Sequence, residues 1–426
     1  MVVRHIAGFV GAVLGLAAAC VVIDPNANLC AIGQAECACT IGGACDPGLE
    51  CRSGMCVDPD APTTDDPSTS DDDSDTEPGT SSMTDPTIEP STGDTGPQPS
   101  MPNFAFVTSA TFTGGAVGGL DGADSKCQDA ADEAGRPGTY RAWLSLPDNH
   151  ARDRLGDASG WIRTDDRPFA TDVPQIVDGR FFYPPVLDEH GVFTAGRVWT
   201  GTNIGMAEPA GSDFCGNWTS DDGASVGLTG DLGAGPGWWT AFDIWPCDMP
   251  AHLVCLGVDQ QHELEVQPVE GRLAFVTADF LSPTAGRPAA DTLCQQEASD
   301  AGYDGEFLSL LGVDGEAPAT RFNTDGPPWV RHDGMPIFPD VDPFAVQLET
   351  PIAFDAMGDT SQLAIVWAGA PDVLVAGTNG STCTNWTSAT GYASMFNVIH
   401  IYWMGWALGG SPECAQPGYS VVCLEL

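Results

Sequence analysis

The chain has almost no lysine. Lys126 is the single lysine among 426 residues, and 15 Lys and Arg together face 59 Asp and Glu, a formal net charge of −44 at pH 7. That deficit of positive charge excludes nucleic acid and anionic lipid surfaces, both of which are bound through a basic footprint. Histidine is scarce too. The seven histidines, at 5, 150, 190, 252, 262, 332 and 400, show neither HxH nor HExxH spacing. They read as isolated, satisfied or surface side chains, and no metal or cofactor is implied. The apolar run Ile6–Ile23 follows Arg4 and His5. It falls short of the ~20 residues of a membrane-spanning helix, is interrupted by glycine and has no basic stop after it. The basic start, the Gly/Ala-rich centre and Ala17–Ala19 fit a secretory signal peptide over residues 1–19.

What the chain does have is cysteine, glycine and proline. With 51 Gly and 34 Pro, turn-rich β structure is favoured over helical bundles, and the length calls for two or three domains. The 15 cysteines fall into blocks: Cys20 alone, six over 30–56, four over 127–255 and four over 294–423. Every block after Cys20 is even, as in the separate disulfide frameworks of an exported protein. Cys20 is left over. The "LAAAC" that contains it resembles a bacterial lipobox, with Ala17 where leucine is usual, so Cys20 is the expected lipidation site and 20–29 a lipidated tether. A free thiol or an intermolecular bridge is the alternative. Under the lipoprotein sorting logic of that resemblance, Val21 after the cysteine implies the outer membrane.

Residues 30–56 hold Cys30, Cys37, Cys39, Cys45, Cys51 and Cys56 among Gly and Pro, too little apolar material for a core. Such a stretch folds when bridges staple it, and it resembles a small EGF- or knottin-like module of unknown pairing. Its lack of histidine, and the two-residue step of "CAC", argue against zinc. Residues 57–102 form an acidic Pro/Ser/Thr/Asp linker. Between 57 and 100 there are 12 acidic residues and neither a basic nor an aromatic one, which predicts disorder. As a coil those residues span roughly 35–40 Å. "DDDSD" lacks the alternation, central glycine and terminal glutamate of a calcium loop.

From residue 103 the chain repeats itself. "FAFVTSATFTGG" (104–115) matches "LAFVTADFLSPT" (273–284), and "GWIRTDDRP" (160–168) matches "PWVRHDGMP" (328–336). "FYPPVLDEHG" (182–191) pairs with "ETPIAFDAMG" (349–358), "WTGTN" (199–203) with "VAGTN" (375–379), "CGNWTS" (215–220) with "CTNWTS" (383–388), and "CDMPAHLVCL" with "CAQPGYSVVCL". Collinear matches at so long a period indicate tandem domains, 103–258 and 272–426, joined by a linker at 259–271. Each domain is expected to start with a helix bearing its first cysteine. In the first copy Asp121–Ala134 places Ala123, Cys127, Ala130 and Ala134 on one face and ends at Gly135; in the second, Pro288 opens the helix and Gly302 ends it. Four cysteines allow three pairings per domain. Joining outer with outer and inner with inner is the natural choice: Cys127–Cys255 with Cys215–Cys247, and Cys294–Cys423 with Cys383–Cys414.

This order resembles the C-type-lectin-like fold. More narrowly, the series "FVTS…GADSKCQDAADEAG…YRAWLS…GWIRTD…VWTGT…CGNWTS…C…LVCL" resembles the bacterial endostatin-like family of outer-membrane lipoproteins, clearly in the first copy and in diluted form in the second. The resemblance implies an α+β, disulfide-stapled extracellular domain used for binding, in known cases to host matrix or plasma proteins, and implies no catalysis. The calcium-dependent sugar site of lectins is not implied, because Trp218 is not followed by Asn-Asp, and the histidine cluster of animal endostatins has no counterpart.

"GASVG" around Ser225 matches a nucleophile elbow, but its flanks have loop composition and the second copy lacks the serine, so no catalytic residue is assigned. Asn217 and Asn385 begin Asn-Trp-Thr triplets that read as structural, with Trp218 and Trp386 as core plugs. Aromatic residues crowd the stretches between the inner cysteines. Most are expected in the core, and the remainder to form an exposed ligand platform. The candidates are Trp238, Trp239, Trp245, Tyr402, Trp403 and Trp406. The expected protein is thus a non-enzymatic, lipid-anchored envelope protein whose two lectin-fold domains serve adhesion or capture of an extracellular protein or glycan. Alternatives are an extracellular carbohydrate-binding protein, a purely structural surface protein, or a secreted hydrolase; a periplasmic or secreted location is the alternative to the outer membrane.

Overall fold

A computed structural model describes residues 50–52, 55–57, 101–203, 214–339, 344, 347–361, 364–402, 413–415 and 418–426. Cys20, Cys30, Cys37, Cys39 and Cys45, residues 58–100 of the linker, Trp403 and Trp406 lie outside them. The chain divides into two compact units, Met1–Ser91 and Thr92–Leu426. In the first, β1 (Glu50–Arg52) and β2 (Met55–Val57) form an antiparallel hairpin in which Cys51 is opposite Cys56.

The second unit is mixed α+β and contains both copies. In the first copy, β3 (Asn103–Val107), β4 (Tyr140–Ala142), β5 (Trp161–Arg163), β6 (Pro168–Ala170) and β10 (Val254–Gly257) build a sheet of order β4-β10-β3-β5-β6. Strand β3 runs parallel to β5 and antiparallel to β10, so the first and last strands of the copy are neighbours. A separate sheet joins β7 (Arg197–Trp199), β8 (Val226–Asp231) and β9 (Asp243–Pro246). The second copy repeats the plan. Its β11 (Arg272–Val276), β12 (Phe307–Ser309), β13 (Trp329–Val330) and β16 (Val422–Glu425) pair in the order β12-β16-β11-β13, and β14 (Ile365–Trp367) pairs with β15 (Met395–Asn397).

Helices Gly119–Glu133 and Arg287–Asp300 lie at matching positions. Their buried residues are Ala123, Cys127 and Ala131 in one and Ala290, Cys294 and Ala298 in the other. This narrow i, i+4, i+8 stripe of small side chains lets each helix approach its sheet closely. The expected face was partly wrong, since Ala130 and Ala134 are only half-buried while Ala131 is buried. Gly135 and Gly302 end the helices with φ of 67° and 88°, a backbone region open to glycine.

Four disulfides are present, Cys127–Cys255, Cys215–Cys247, Cys294–Cys423 and Cys383–Cys414. Each outer bridge ties a helix to the copy's last strand across 128 or 129 residues, worth about 5 kcal/mol in the loop-entropy account. Bridges of this kind persist outside the reducing cytosol, which places the protein in an extracellular or periplasmic setting. Among the described residues no helix is long and apolar enough to cross a membrane.

The indole N–H groups show the duplication most directly. Trp199 and Trp367 donate to Phe112 O and Leu281 O, Trp218 and Trp386 to Ser145 O and Gly312 O, and Trp161 and Trp329 to Gly257 O and Glu425 O. One sequence match is corrected by these bonds. The counterpart of "RVWTG" (197–201) is "IVWAG" (365–369), not "VAGTN", because Trp367 takes the place of Trp199 against the bridged turn. That turn, Cys215–Trp218 and again Cys383–Trp386, has φ between 45° and 62° at all eight positions. It is a left-handed helical turn, closed by Trp218 N donating to Phe214 O and Trp386 N to Thr382 O, both at 2.7 Å.

The copies are not beads on a string. One buried cluster runs from Ala105, Trp143 and Trp239 in the first copy to Phe344, Ile352, Phe396 and Leu424 in the second. Arg167 pairs with Glu349, and Arg180 donates to Gly358 O, across the seam. The connecting segment is itself pinned, with His262 N donating to Ser159 O and Val269 N to Gly334 O.

Candidate functional site

At the seam, backbone from each copy meets in antiparallel fashion. Ile401 N donates to Gly233 O at 2.9 Å, Gly235 N to Ile399 O at 2.5 Å, and Ala234 is opposite His400. Gly233 permits this approach: a Cβ there would lie 2.5 Å from Cε1 of His400. The contact continues β8 beyond Asp231 and β15 beyond Asn397, so the ends of two strands from different copies deliver their side chains to one place.

That place is a cleft of about 290 Å³, near the lower end of the roughly 300–1,000 Å³ of small-molecule sites. The first copy supplies Asp231, Trp238 and Phe242, and the second Asn397, His400 and Tyr402. Trp238 and Phe242 sit 5.2 Å apart and tilted. Tyr402 stacks on His400 at 5.4 Å and takes the edge of Phe193 at 6.2 Å. Oδ1 of Asp231 accepts from Gly233 N at 3.2 Å and from Nε2 of His400 at 3.1 Å. Nδ1 of His400 accepts from Tyr402 N at 2.9 Å, which leaves Nε2 as the ring's donor to Asp231. Burial, and secondarily the charge of Asp231, push the Tyr402 phenol up, which keeps it neutral near pH 7.

Of the sequence candidates, Trp238 and Tyr402 come together here. Trp239 does not. It is 1% exposed and packs between Trp143 at 5.2 Å and Phe181 at 5.7 Å, so it is a core residue, a correction to its place on the expected platform. Adjacent indoles diverge because the turn 236–241 sends one inward. Trp245 is half-buried under the guanidinium of Arg197, 4.1 Å from its centroid, and does not line the cleft. Among the described residues neither Trp239 nor Trp245 finds an acceptor for its N–H. Asp231, Phe242, Asn397, His400 and Phe193 were not singled out from sequence. Alternation of His400 with Tyr402 was visible, but its partners lie some 160 residues away.

Ser225 precedes β8, so a strand follows it where an elbow needs a helix; the segment before it is loop, as expected, and only the one after it is strand. Its carbonyl accepts from Cys247 N at 3.0 Å. Among the described residues no group of three or more His, Cys, Asp and Glu is arranged to hold a metal ion. A neighbouring groove of about 350 Å³ is mixed, with Arg163, Asp165, Arg167 and Glu349 set among apolar residues such as Leu187, Phe193 and Ile401. No known family model matches the chain, and no curated protein matches it either.

Proposed function

We propose that the protein is a non-enzymatic binding protein of the bacterial cell envelope, carried to the outer membrane and anchored there by a lipid on Cys20. Residues 103–258 and 272–426 are two C-type-lectin-like domains, akin to the endostatin-like lipoproteins, and the acidic segment 57–102 holds them away from the anchor. The fold reading is supported by the helix-to-last-strand bridge, the pairing of first and last strands and the inner bridge within the long-loop region, each present twice. The binding reading rests on one observation. Aromatic side chains from both copies converge on a single cleft, where a protein concerned only with stability would bury them. The domains therefore act as one binding head for adhesion or ligand capture.

Two measurements test this. Mass spectrometry of the mature N-terminus is expected to find a diacylated Cys20; an unmodified residue 20 overturns the anchor. Screening the full chain against small molecules, glycans and matrix proteins is expected to yield a ligand whose binding is lost in Trp238→Ala, and an unaltered ligand profile overturns the site.

A further inference from the structure

We propose that the seam cleft takes a small organic cation, a quaternary ammonium group of the choline type. This rests on the seam being the ligand site and adds the chemical class of what it holds.

Polarity carries the argument. The cleft offers the faces and edges of Trp238, Phe242 and Tyr402, one carboxylate at Asp231, and no lysine or arginine among its lining residues. A sugar in such a space needs donors and acceptors for its several hydroxyls, and here both ring nitrogens of His400, Oδ1 of Asp231 and Oδ1 of Asn397 are already engaged. Nε2 of His400 donates to Asp231 and its Nδ1 accepts from Tyr402 N. The Asn397 side-chain Oδ1 accepts from Ile399 N at 3.1 Å. A carboxylate or phosphate group placed in the cleft meets Asp231 with no compensating cation among the lining residues. An alkylated ammonium needs no hydrogen bond. It is held by the negative faces of aromatic rings and by a nearby carboxylate, which is the combination present.

Charge supports the same choice over longer range. With a net charge of −44 the protein attracts cations and repels anions. Both hydrogen bonds to Asp231 from the described residues fall on Oδ1, so its charge is only partly spent on the seam. The Arg197 guanidinium is 5.1 Å from the Phe242 centroid but is tied to Asp243 at 3.0 Å and lies outside the lining. The cleft draws on both copies, so neither alone would hold the ligand.

Choline chloride titrated into the full chain by calorimetry is the direct test, with tetramethylammonium and the neutral carbon isostere dimethylbutanol alongside. Choline and tetramethylammonium are expected to bind, the isostere about tenfold more weakly. Asp231→Asn is expected to weaken choline about tenfold with an unchanged circular dichroism spectrum, and Trp238→Ala to abolish it. Trp238→Tyr, which keeps an aromatic face, retains measurable binding and guards against a folding defect. Equal affinity for choline and its isostere overturns the cation assignment, as does failure of choline to bind. A saccharide that binds and is lost in Trp238→Ala overturns the cation class but leaves the seam as the ligand site. Failure of every seam variant to alter any ligand overturns both. Once choline binds, retention on phosphatidylcholine vesicles assigns the cation to a lipid headgroup, and no retention assigns it to a free solute; either result upholds the site.

Discussion

Asp231 of the first copy and His400 of the second are hydrogen-bonded at 3.1 Å, across 169 residues of sequence. Their side chains are 25% and 14% exposed, shielded enough for the bond to count towards holding the copies together. A double-mutant cycle on Asp231→Asn and His400→Gln, read by urea unfolding without reductant, is expected to give a coupling energy of about 1 kcal/mol. Additive effects would mean that this pair adds nothing to the seam.

The left-handed turns make an asymmetric prediction. Asn217 is exposed, whereas the Asn385 side chain accepts from Asp314 N at 2.8 Å. Asn217→Gly relieves positive φ and is expected to leave stability unchanged or slightly higher, while Asn217→Val costs about 1–2 kcal/mol. Asn385→Gly, which also loses a hydrogen bond, is expected to cost about 1 kcal/mol in the same unfolding measurement.

Gly230 lies where β8 passes beneath the Trp238–Trp239 turn. A Cβ there would sit 1.8 Å from the carbonyl oxygen of Trp239, backbone that cannot swing aside. Gly230→Ala is expected to cost roughly 3 kcal/mol and to change the near-UV dichroism of the tryptophans. Gly135→Ala is the control. Its Cβ meets nothing within 4 Å, and its φ of 67° alone costs about 1 kcal/mol.

Acid should act in two windows. Burial, reinforced by Arg331 and Arg180, holds His332 below the ordinary histidine value despite Asp333 and Asp355. The unfolded chain then takes up that proton first, so stability present at neutral pH falls as pH drops below about 6.5. His332→Gln is expected to flatten this part of the curve of unfolding midpoint against pH.

The second window belongs to Asp291. Burial raises its pKa, but hydrogen bonds from Arg321 and from the Ser309 N–H and hydroxyl together outweigh that and leave it below the usual range. Its contribution is present above about pH 3.9 and lost on further acidification. The partner Arg321 donates at 2.7 Å and is 12% exposed, so Asp291→Ala strands a largely buried cation and is expected to cost about 3 kcal/mol at pH 7. A loss under 1 kcal/mol would contradict this.

Features carried by local sequence were legible, and features made by the meeting of the copies were not. The helices announced themselves through small residues around a cysteine and a glycine stop. The repeat was visible in Trp161 and Trp329 and in Trp218 and Trp386. Short identity misled at "WTGTN" and "VAGTN", where a shared Gly-Thr-Asn outweighed the tryptophan whose indole bond fixes the true correspondence. Trp238 and Trp239 have the same local composition, and only the turn they occupy separates a cleft-lining ring from a core ring. Asp231 and His400 carry no mutual signal, because their contact depends on how the two copies pack together.

The central claim is that one ligand site draws on both copies. Calorimetric titration of a bound ligand into the full chain, compared with Trp238→Ala from the first copy and Tyr402→Ala from the second, tests it most directly. Either substitution is expected to abolish the same isotherm while both variants keep their fold and disulfides. Two ligands, each lost on changing only one copy, would contradict it.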